Sequence, residues 1–220
     1  MIILIGGEKG GTGKTTLATN IAARLLESGA DVLFIDTDKQ GSASSWAAMR
    51  DNNDEIKEIP TIQKFGNSIA SAINDLKTRY DHLVIDAGGR DSVELRAAMT
   101  VSDCIYIPLQ ASQFDIWTLS AMDKLVEQAK SFKPNLQASV VINRASPNPS
   151  VSEVKEAQGM FSEFHYLKLS NVVIKDRIAY RKAARSGFSV NELSNPDLKA
   201  IEEINLLYDE IINEKKQTAA

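Results

Sequence analysis

A chain of 220 residues, 43% hydrophobic and 25% charged, has the size of one α/β domain and enough apolar content for a sizeable core, which excludes disordered and collagen-like classes. No run approaches about 18 uncharged apolar residues, and MIILIGGEKGG lacks the basic start and long apolar stretch of a secretory signal, so one cytoplasmic domain over residues 1–220 is expected. A single cysteine, Cys104, cannot form an intrachain disulfide or a four-cysteine metal site, and a formal net charge of -4 argues against a globally basic nucleic-acid binder.

In chain order, IILI at 2–5 reads as a first buried strand. The glycine-rich segment EKGGTGKTT at 8–16 follows. Leu17, Ile21, Leu25 and Leu26 then recur at helical spacing, with Gly29 where a left-handed cap falls. VLFI at 32–35 is a second strand, and the polar DNNDEIKEIP at 51–60 a surface loop. Ile69, Ile73 and Leu76 predict a helix over 67–79, and HLVIDA at 82–87 and CIYIPL at 104–109 predict strands. Leu119, Met122, Leu125 and Val126 predict a helix over 115–131, SVVIN a strand at 139–143, and ASPNPS a loop at 145–150. Leu198, Ile201, Ile204, Leu207 and Ile211 predict a last helix over 197–214 whose apolar stripe packs on the core. This alternation is that of an α/β protein with a doubly wound, mostly parallel sheet flanked by helices.

Gly10, Gly11 and Gly13 let the backbone curl so that successive N–H groups converge, and the helix starting near Lys14 aims its positive end at the same place. A polyphosphate fits there: Lys14 would neutralise its β and γ phosphates, and the Thr15 hydroxyl would ligate Mg²⁺. The pattern G-x-x-x-x-G-K-[ST] asks for glycine where this chain has Glu8. The segment follows instead the variant K-G-G-x-G-K-[ST] from Lys9 to Thr15, with Thr12 at its free position and Thr16 next after it. In FIDTDKQGS, Asp36 and Asp38 at a strand end either project together toward the loop or cap a helix beginning near Ser42. Asp86 ends an apolar strand, placed to reach Mg²⁺ through water or to make a turn, and Gly88 and Gly89 follow as a γ-phosphate sensor requires. Asn143 ends another strand. Guanine recognition through N-K-x-D would need aspartate where Ser146 stands.

The variant loop with its extra Lys9 resembles the deviant Walker A group of P-loop ATPases, which includes the ParA partition proteins, MinD and the nitrogenase iron protein. The resemblance implies a P-loop NTPase fold with ATP and Mg²⁺ as cofactors. It implies that Lys9 crosses a nucleotide-sandwich dimer interface to the partner's phosphates, and that Asp38 positions the attacking water. Asp36 would help hold the metal's water shell, and Asn143 would read the adenine edge. Lys39 stands where the family usually has proline, and D-A-G-G departs from its D-x-P-P toward the small plasmid partition proteins. One cysteine cannot supply the cluster of an iron protein. The last helix carries Asp197, Glu202, Glu203, Asp209, Glu210 and Glu214 against Lys199, Lys215 and Lys216, which anionic lipid would repel.

Residues 166–190 hold Lys168, Lys175, Arg177, Arg181, Lys182 and Arg185 against Asp176 alone. Arg177, Arg181 and Arg185 share a helix face with no acidic residue three or four positions away, an unpaired stripe that is either a solvated face or a phosphate-backbone contact. In ParA proteins the corresponding region binds DNA without sequence specificity. The resemblance therefore implies a short ParA-type partition ATPase without an N-terminal helix-turn-helix. Its ATP-dependent homodimer would coat non-specific double-stranded DNA of the nucleoid, keep off membranes, and be released by hydrolysis stimulated by a ParB-like centromere-binding or adaptor partner. The alternatives are a ParA relative positioning a protein compartment or a T-strand complex, and a MinD-like regulatory ATPase.

Overall fold

In the computed structural model, which describes residues 1–89, 91–110, 116–148, 159 and 161–218, the apolar runs pair into one seven-stranded sheet with every neighbouring pair parallel. Its elements are β1 (Ile2–Ile5), α1 (Lys14–Glu27), β2 (Val32–Asp36), α2 (Ser42–Asp51), β3 (Thr61–Gln63), α3 (Ile69–Leu76) and β4 (His82–Asp86). They continue with α4 (Val93–Met99), β5 (Cys104–Gln110), α5 (Ile116–Lys130), β6 (Gln137–Ala145), β7 (Lys168–Lys175), α6 (Ile178–Arg185) and α7 (Leu198–Thr218). The strand order is β3-β2-β4-β1-β5-β6-β7.

The central strands are apolar throughout because helices cover both faces of the sheet. With a side-chain period of two, Ile3 and Ile5 enter one layer with Leu17, Ile21, Trp46, Ile204 and Ile211, from α1, α2 and α7. Ile2 and Leu4 enter the other, with Ile73, Leu95, Leu119 and Met122 from α3, α4 and α5. Ala200, Ile204, Leu207 and Ile211 of α7 are fully buried, so its apolar stripe packs on the core as expected. The doubly wound parallel sheet is the architecture that the alternating pattern predicts.

Two strands and one helix go beyond that prediction. β3 is three residues long, and β7 is an edge strand whose KLSNVVIK mixes exposed and buried positions, so neither shows a continuous apolar run. α4 has seven residues, too few for a helical period to emerge. The polar stretch at 51–60 begins inside α2 and buries Ile59 just before β3. Positions 115, 149 and 150 of the expected helix and loop, and the side chains of Glu214, Lys215 and Lys216, lie outside the described residues.

β1, β2 and β4 end at one edge of the sheet, their last residues Ile5, Asp86 and Asp36 side by side in register. The segment after β2 is anchored from behind by α2. Arg50 of α2 is 1% exposed and makes a two-pronged pair with Glu192 at 2.6 and 2.8 Å. It also donates to the carbonyls of Lys57 and Gly187, while Trp46 Nε1 donates to the Phe188 carbonyl. Gly187 has φ +72°, and a Cβ there would stand 2.4 Å from the Arg50 backbone nitrogen, so the segment after α6 closes on α2 only with glycine.

Removing the countercharge strands a buried guanidinium, so Glu192→Gln is expected to lower the unfolding free energy by about 3 kcal/mol near neutral pH. Burial pushes the Glu192 carboxyl up, but hydrogen bonds from Arg50 and Ser189 outweigh it and hold the group below the usual 4.5. A carboxylate held low stabilises the fold above its unfolded value and loses that effect as pH falls through the folded one. Urea titrations should therefore show the full gap between wild type and variant near neutrality and a shrinking gap below pH 4.5; a gap independent of pH would refute the pairing.

Candidate nucleotide site

Between β1 and α1 the chain turns on Gly11 (φ +74°) and Gly13 (φ +92°), both in the left-handed region. A Cβ on Gly13 would stand 2.3 Å from the Asn143 amide nitrogen. α1 starts at Lys14 without a side-chain cap and without an acidic residue in its first turn, so its first amides are open to an anion. The loop's carbonyls, in contrast, are engaged. Lys14 Nζ donates to Lys9 O at 2.6 Å, Asn143 Nδ2 to Thr12 O at 2.6 Å, and both Gln110 Nε2 and Arg144 to Gly11 O at 3.1 and 2.9 Å. Burial lowers the proton affinity of Lys14, opposed by the nearby charges of Asp86 and Asp38.

Three carboxylates meet this loop in different ways. Asp86 is 1% exposed; its Oδ2 accepts the Thr15 hydroxyl at 2.7 Å, and its Oδ1 is buried with no partner. Burial pushes its carboxyl up to about 7, against the Thr15 hydrogen bond and Lys14, and Asp36 adds to the rise. Asp38 lines the cleft, with Oδ1 accepting Gln40 N at 3.0 Å. Gly88 lies so close that a Cβ would sit 3.3 Å from the Asp38 carboxyl, and a Cβ on Gly89 would meet Gly10 Cα at 2.8 Å and Lys14 Nζ at 2.9 Å.

Asp36 is turned toward α2. Both of its oxygens are taken, Oδ1 by Asp38 N at 3.0 Å and Oδ2 by Ser44 N and Oγ at 2.9 and 2.6 Å. The cap position before α2 is Gly41, which offers no side-chain cap, and Asp36 serves the orphan amide of Ser44 from the neighbouring strand. These are the bonds of the helix-cap reading of Asp36.

The cleft over the loop measures about 1110 Å³ and takes in Gly10, Lys14, Thr15, Asp38, Gly89 and Arg144. A side cavity of about 100 Å³ opens among Gly13, Thr16, Asn143, Arg144, Tyr180 and Arg181. The chemistry at Thr15 and Asp86 suits a hard divalent cation: a hydroxyl beside a buried carboxylate with one oxygen unmet. Among the described residues no group of three or more His, Cys, Asp or Glu could hold a metal. A cation here would therefore draw its remaining ligands from phosphate and water, as Mg²⁺ does.

The structure thus brings Lys9, Gly10, Gly11, Thr12, Gly13, Lys14, Thr15, Thr16, Asp38, Asp86 and Asn143 to one place. It does not bring an unpaired arginine stripe. Arg177 precedes α6 and pairs with Glu203 of α7 at 2.7 Å, and Arg181 pairs with Asp176 at 2.8 Å. Tyr180 and the Lys175 amide also donate to Glu203. Spacing along one helix does not see these partners, because one comes from another helix and the other from five residues back. Lys182 and Arg185 are exposed and form no ion pair among the described residues. Arg144 and Gln110 carry no motif signal: Gln110 ends β5 and Arg144 is next to last in β6, and only the fold aims them at the loop.

The family described as CbiA, the CobQ/CobB/MinD/ParA nucleotide binding domain, matches residues 3–190. The chain is similar to the maintenance of carboxysome distribution protein A of Halothiobacillus neapolitanus, 25% identical over 211 residues that cover 96% of this chain and 95% of the relative. It is also similar to the chromosome partitioning protein ParA of Myxococcus xanthus, 25% identical over 205 residues, or 74% and 72% of the two chains. A solved plasmid partition protein of Borrelia burgdorferi, bound to AMPPNP, shares the fold with a TM-score of 0.69 at 21% identity, over 98% of each chain.

Because one Asp86 oxygen is buried without a partner, Asp86→Asn is expected to make the nucleotide-free protein more stable, by about 1–3 kcal/mol, while abolishing Mg²⁺-dependent nucleotide binding. Chemical denaturation without and with Mg²⁺ and ATP checks both halves. A variant less stable than wild type without ligand would show that the carboxylate is satisfied by a contact other than the Thr15 bond.

Proposed function

The chain belongs to the CobQ/CobB/MinD/ParA nucleotide-binding family, and from that premise we propose that it is a ParA-type, Mg²⁺-dependent ATPase of DNA partition. It acts as an ATP-bound sandwich dimer on non-specific double-stranded DNA. The observation that carries this reading is the meeting of the glycine loop, the Thr15 and Asp86 pair and Asp38 around Lys14 in one cleft.

The loop amides and the first turn of α1 bind the β and γ phosphates of ATP, and Lys14 moves its Nζ from the Lys9 carbonyl to them. Thr15 and Asp86 would hold Mg²⁺, which would supply positive charge against the phosphate oxygens. Asp38 orients the water that attacks the γ phosphate, and Gly88 and Gly89, packed on Asp38 and Gly10, register its loss. Lys9 crosses to the partner's phosphates, so the dimer requires ATP. Asn143, which lines the side cavity beside Gly13 and Thr16, reads the adenine edge. Hydrolysis stimulated by a ParB-like centromere-binding or adaptor partner then separates the dimer from the nucleoid.

The DNA surface is narrower than spacing alone implies: Lys182 and Arg185 lead it, with the half-exposed Arg181 beside them. A MinD-type membrane cycle through the last helix is disfavoured, since its apolar stripe is committed to the core. The similarity to a carboxysome distribution protein over 96% of this chain favours one second reading, in which the cargo is a protein compartment. The neighbouring gene, a centromere binder or a compartment adaptor, separates the two.

Sedimentation with ATP and Mg²⁺ tests the cycle. Wild type should dimerise, Lys9→Ala should bind nucleotide yet stay monomeric, and Asp38→Ala should remain dimeric with hydrolysis slowed about 100-fold or more. A Lys9→Ala dimer as stable as wild type, or normal turnover by Asp38→Ala, removes the corresponding role.

For the DNA surface, Lys182→Ala combined with Arg185→Ala should weaken binding to unrelated duplexes alike. The salt dependence of log affinity should become shallower by about 0.9 for each phosphate no longer neutralised, with ATP-dependent dimerisation intact. Unchanged binding at low and moderate salt would return both residues to a solvated helix face.

A further inference from the structure

Arg144 is the only non-glycine residue with positive φ among the described residues, at +52°. Such a conformation is costly for a long side chain and persists where the surroundings demand it. The cause lies in the pairing of β6 with β7. Ile142 pairs with Val173 and Ala145 with Lys175, so β6 advances three residues while its neighbour advances two. The extra residue is a bulge at 143–144. In a regular strand consecutive side chains point to opposite faces. The bulge lets Asn143 and Arg144 both turn to the loop, where they hold the adjacent carbonyls of Thr12 and Gly11.

A brace alone does not account for an arginine here. Gln110 already donates to the same Gly11 carbonyl at 3.1 Å, and the bond from Arg144 uses one arm of a guanidinium that has five N–H donors. Arg144 is exposed, no carboxylate among the described residues forms an ion pair with it, and it lines both the large cleft and the side cavity. It therefore stands at the junction between the phosphate end and the base end of the site.

We propose that Arg144 is a nucleotide-positioning residue whose guanidinium takes the phosphate nearest the sugar, with the β6 bulge serving to aim it. The proposal rests on the nucleotide reading of the cleft and assigns a group to the phosphate that lies between the β and γ phosphates at Lys14 and the base at Asn143. A planar fork with spare donors suits a phosphate with two free oxygens.

Calorimetric titration with Mg²⁺ and ADP, together with melting of the nucleotide-free protein, tests it. Arg144→Gly removes the guanidinium and accepts the positive φ without strain, so its ligand-free midpoint should equal or exceed that of wild type while ADP affinity falls about ten-fold. Arg144→Lys should recover part of that loss, because charge returns without the fork. ADP affinity within two-fold of wild type in the glycine variant overturns the role, and a lower ligand-free midpoint alongside it would leave Arg144 a loop brace alone. If wild type itself binds no ADP, the nucleotide site fails and this role with it; binding by wild type with an unaffected glycine variant rejects Arg144 alone.

Discussion

The hydrogen bond from the Thr15 hydroxyl to Asp86 Oδ2, at 2.7 Å, ties the start of α1 to the end of β4, and the cleft is arranged around it. Only one of the two Asp86 oxygens is satisfied, so the carboxylate sits in the sheet at a cost that burial alone makes large. That cost is tolerable because Ile3, Ile5, Phe34 and Val84 on one face, and Leu4, Ile35, Leu83 and Ile85 on the other, are buried in continuous layers beside it. A buried acid with a free oxygen next to a hydroxyl makes little sense as packing. It makes sense as half of a cation site, where destabilisation of the empty fold becomes affinity for the occupied one.

α2 connects this edge to the far side of the molecule. Its first turn is fixed to β2 by Asp36 and Ser44, and its last turn and Trp46 are fixed to the segment after α6 by Arg50, Glu192, Gly187 and Phe188. The segment carrying Asp38 and the segment that ends the basic helix are thus bonded to opposite ends of one short rod. On the other side, Glu203 fastens Arg177, Tyr180 and the Lys175 amide to α7. Arginines that look like a free cationic face along the sequence are in part structural rivets, and the charge available to a polyanion is correspondingly smaller.

How much of this was legible depended on how local the governing interaction is. The five apolar strands and the glycine loop announce themselves within a few residues, because burial on both faces and a phosphate-sized turn each leave a dense local signature. β7 and β3 did not, since an edge position relaxes the demand for continuous apolarity. Asp36 and Asp38 share a strand end, and spacing alone leaves open which of them caps the next helix. The geometry of α2 answers that, since its uncapped start recruits Asp36. The partners of Arg177 and Arg181, and the aim of Arg144, depend on which strands and helices become neighbours, which one-dimensional spacing does not encode.

The loop itself shows why so many remote residues are needed to make one anion site. A glycine-rich turn free in solution has amides and carbonyls pointing in every direction and loses much entropy when a ligand orders it. Here the carbonyls of Lys9, Gly11 and Thr12 are drawn off by Lys14, Gln110, Arg144 and Asn143, and the glycines at 13 and 89 admit contacts that any Cβ would block. The ordering is done when β5 and β6 assemble, so an incoming phosphate meets amides already turned toward it. One of those carbonyl bonds differs from the others, because its donor is the ammonium of Lys14, buried and with a proton affinity that burial lowers. An anion arriving in the cleft competes directly with the Lys9 carbonyl for that donor and favours its charged form. The same lysine that closes the empty loop is therefore the group most strongly drawn to open it.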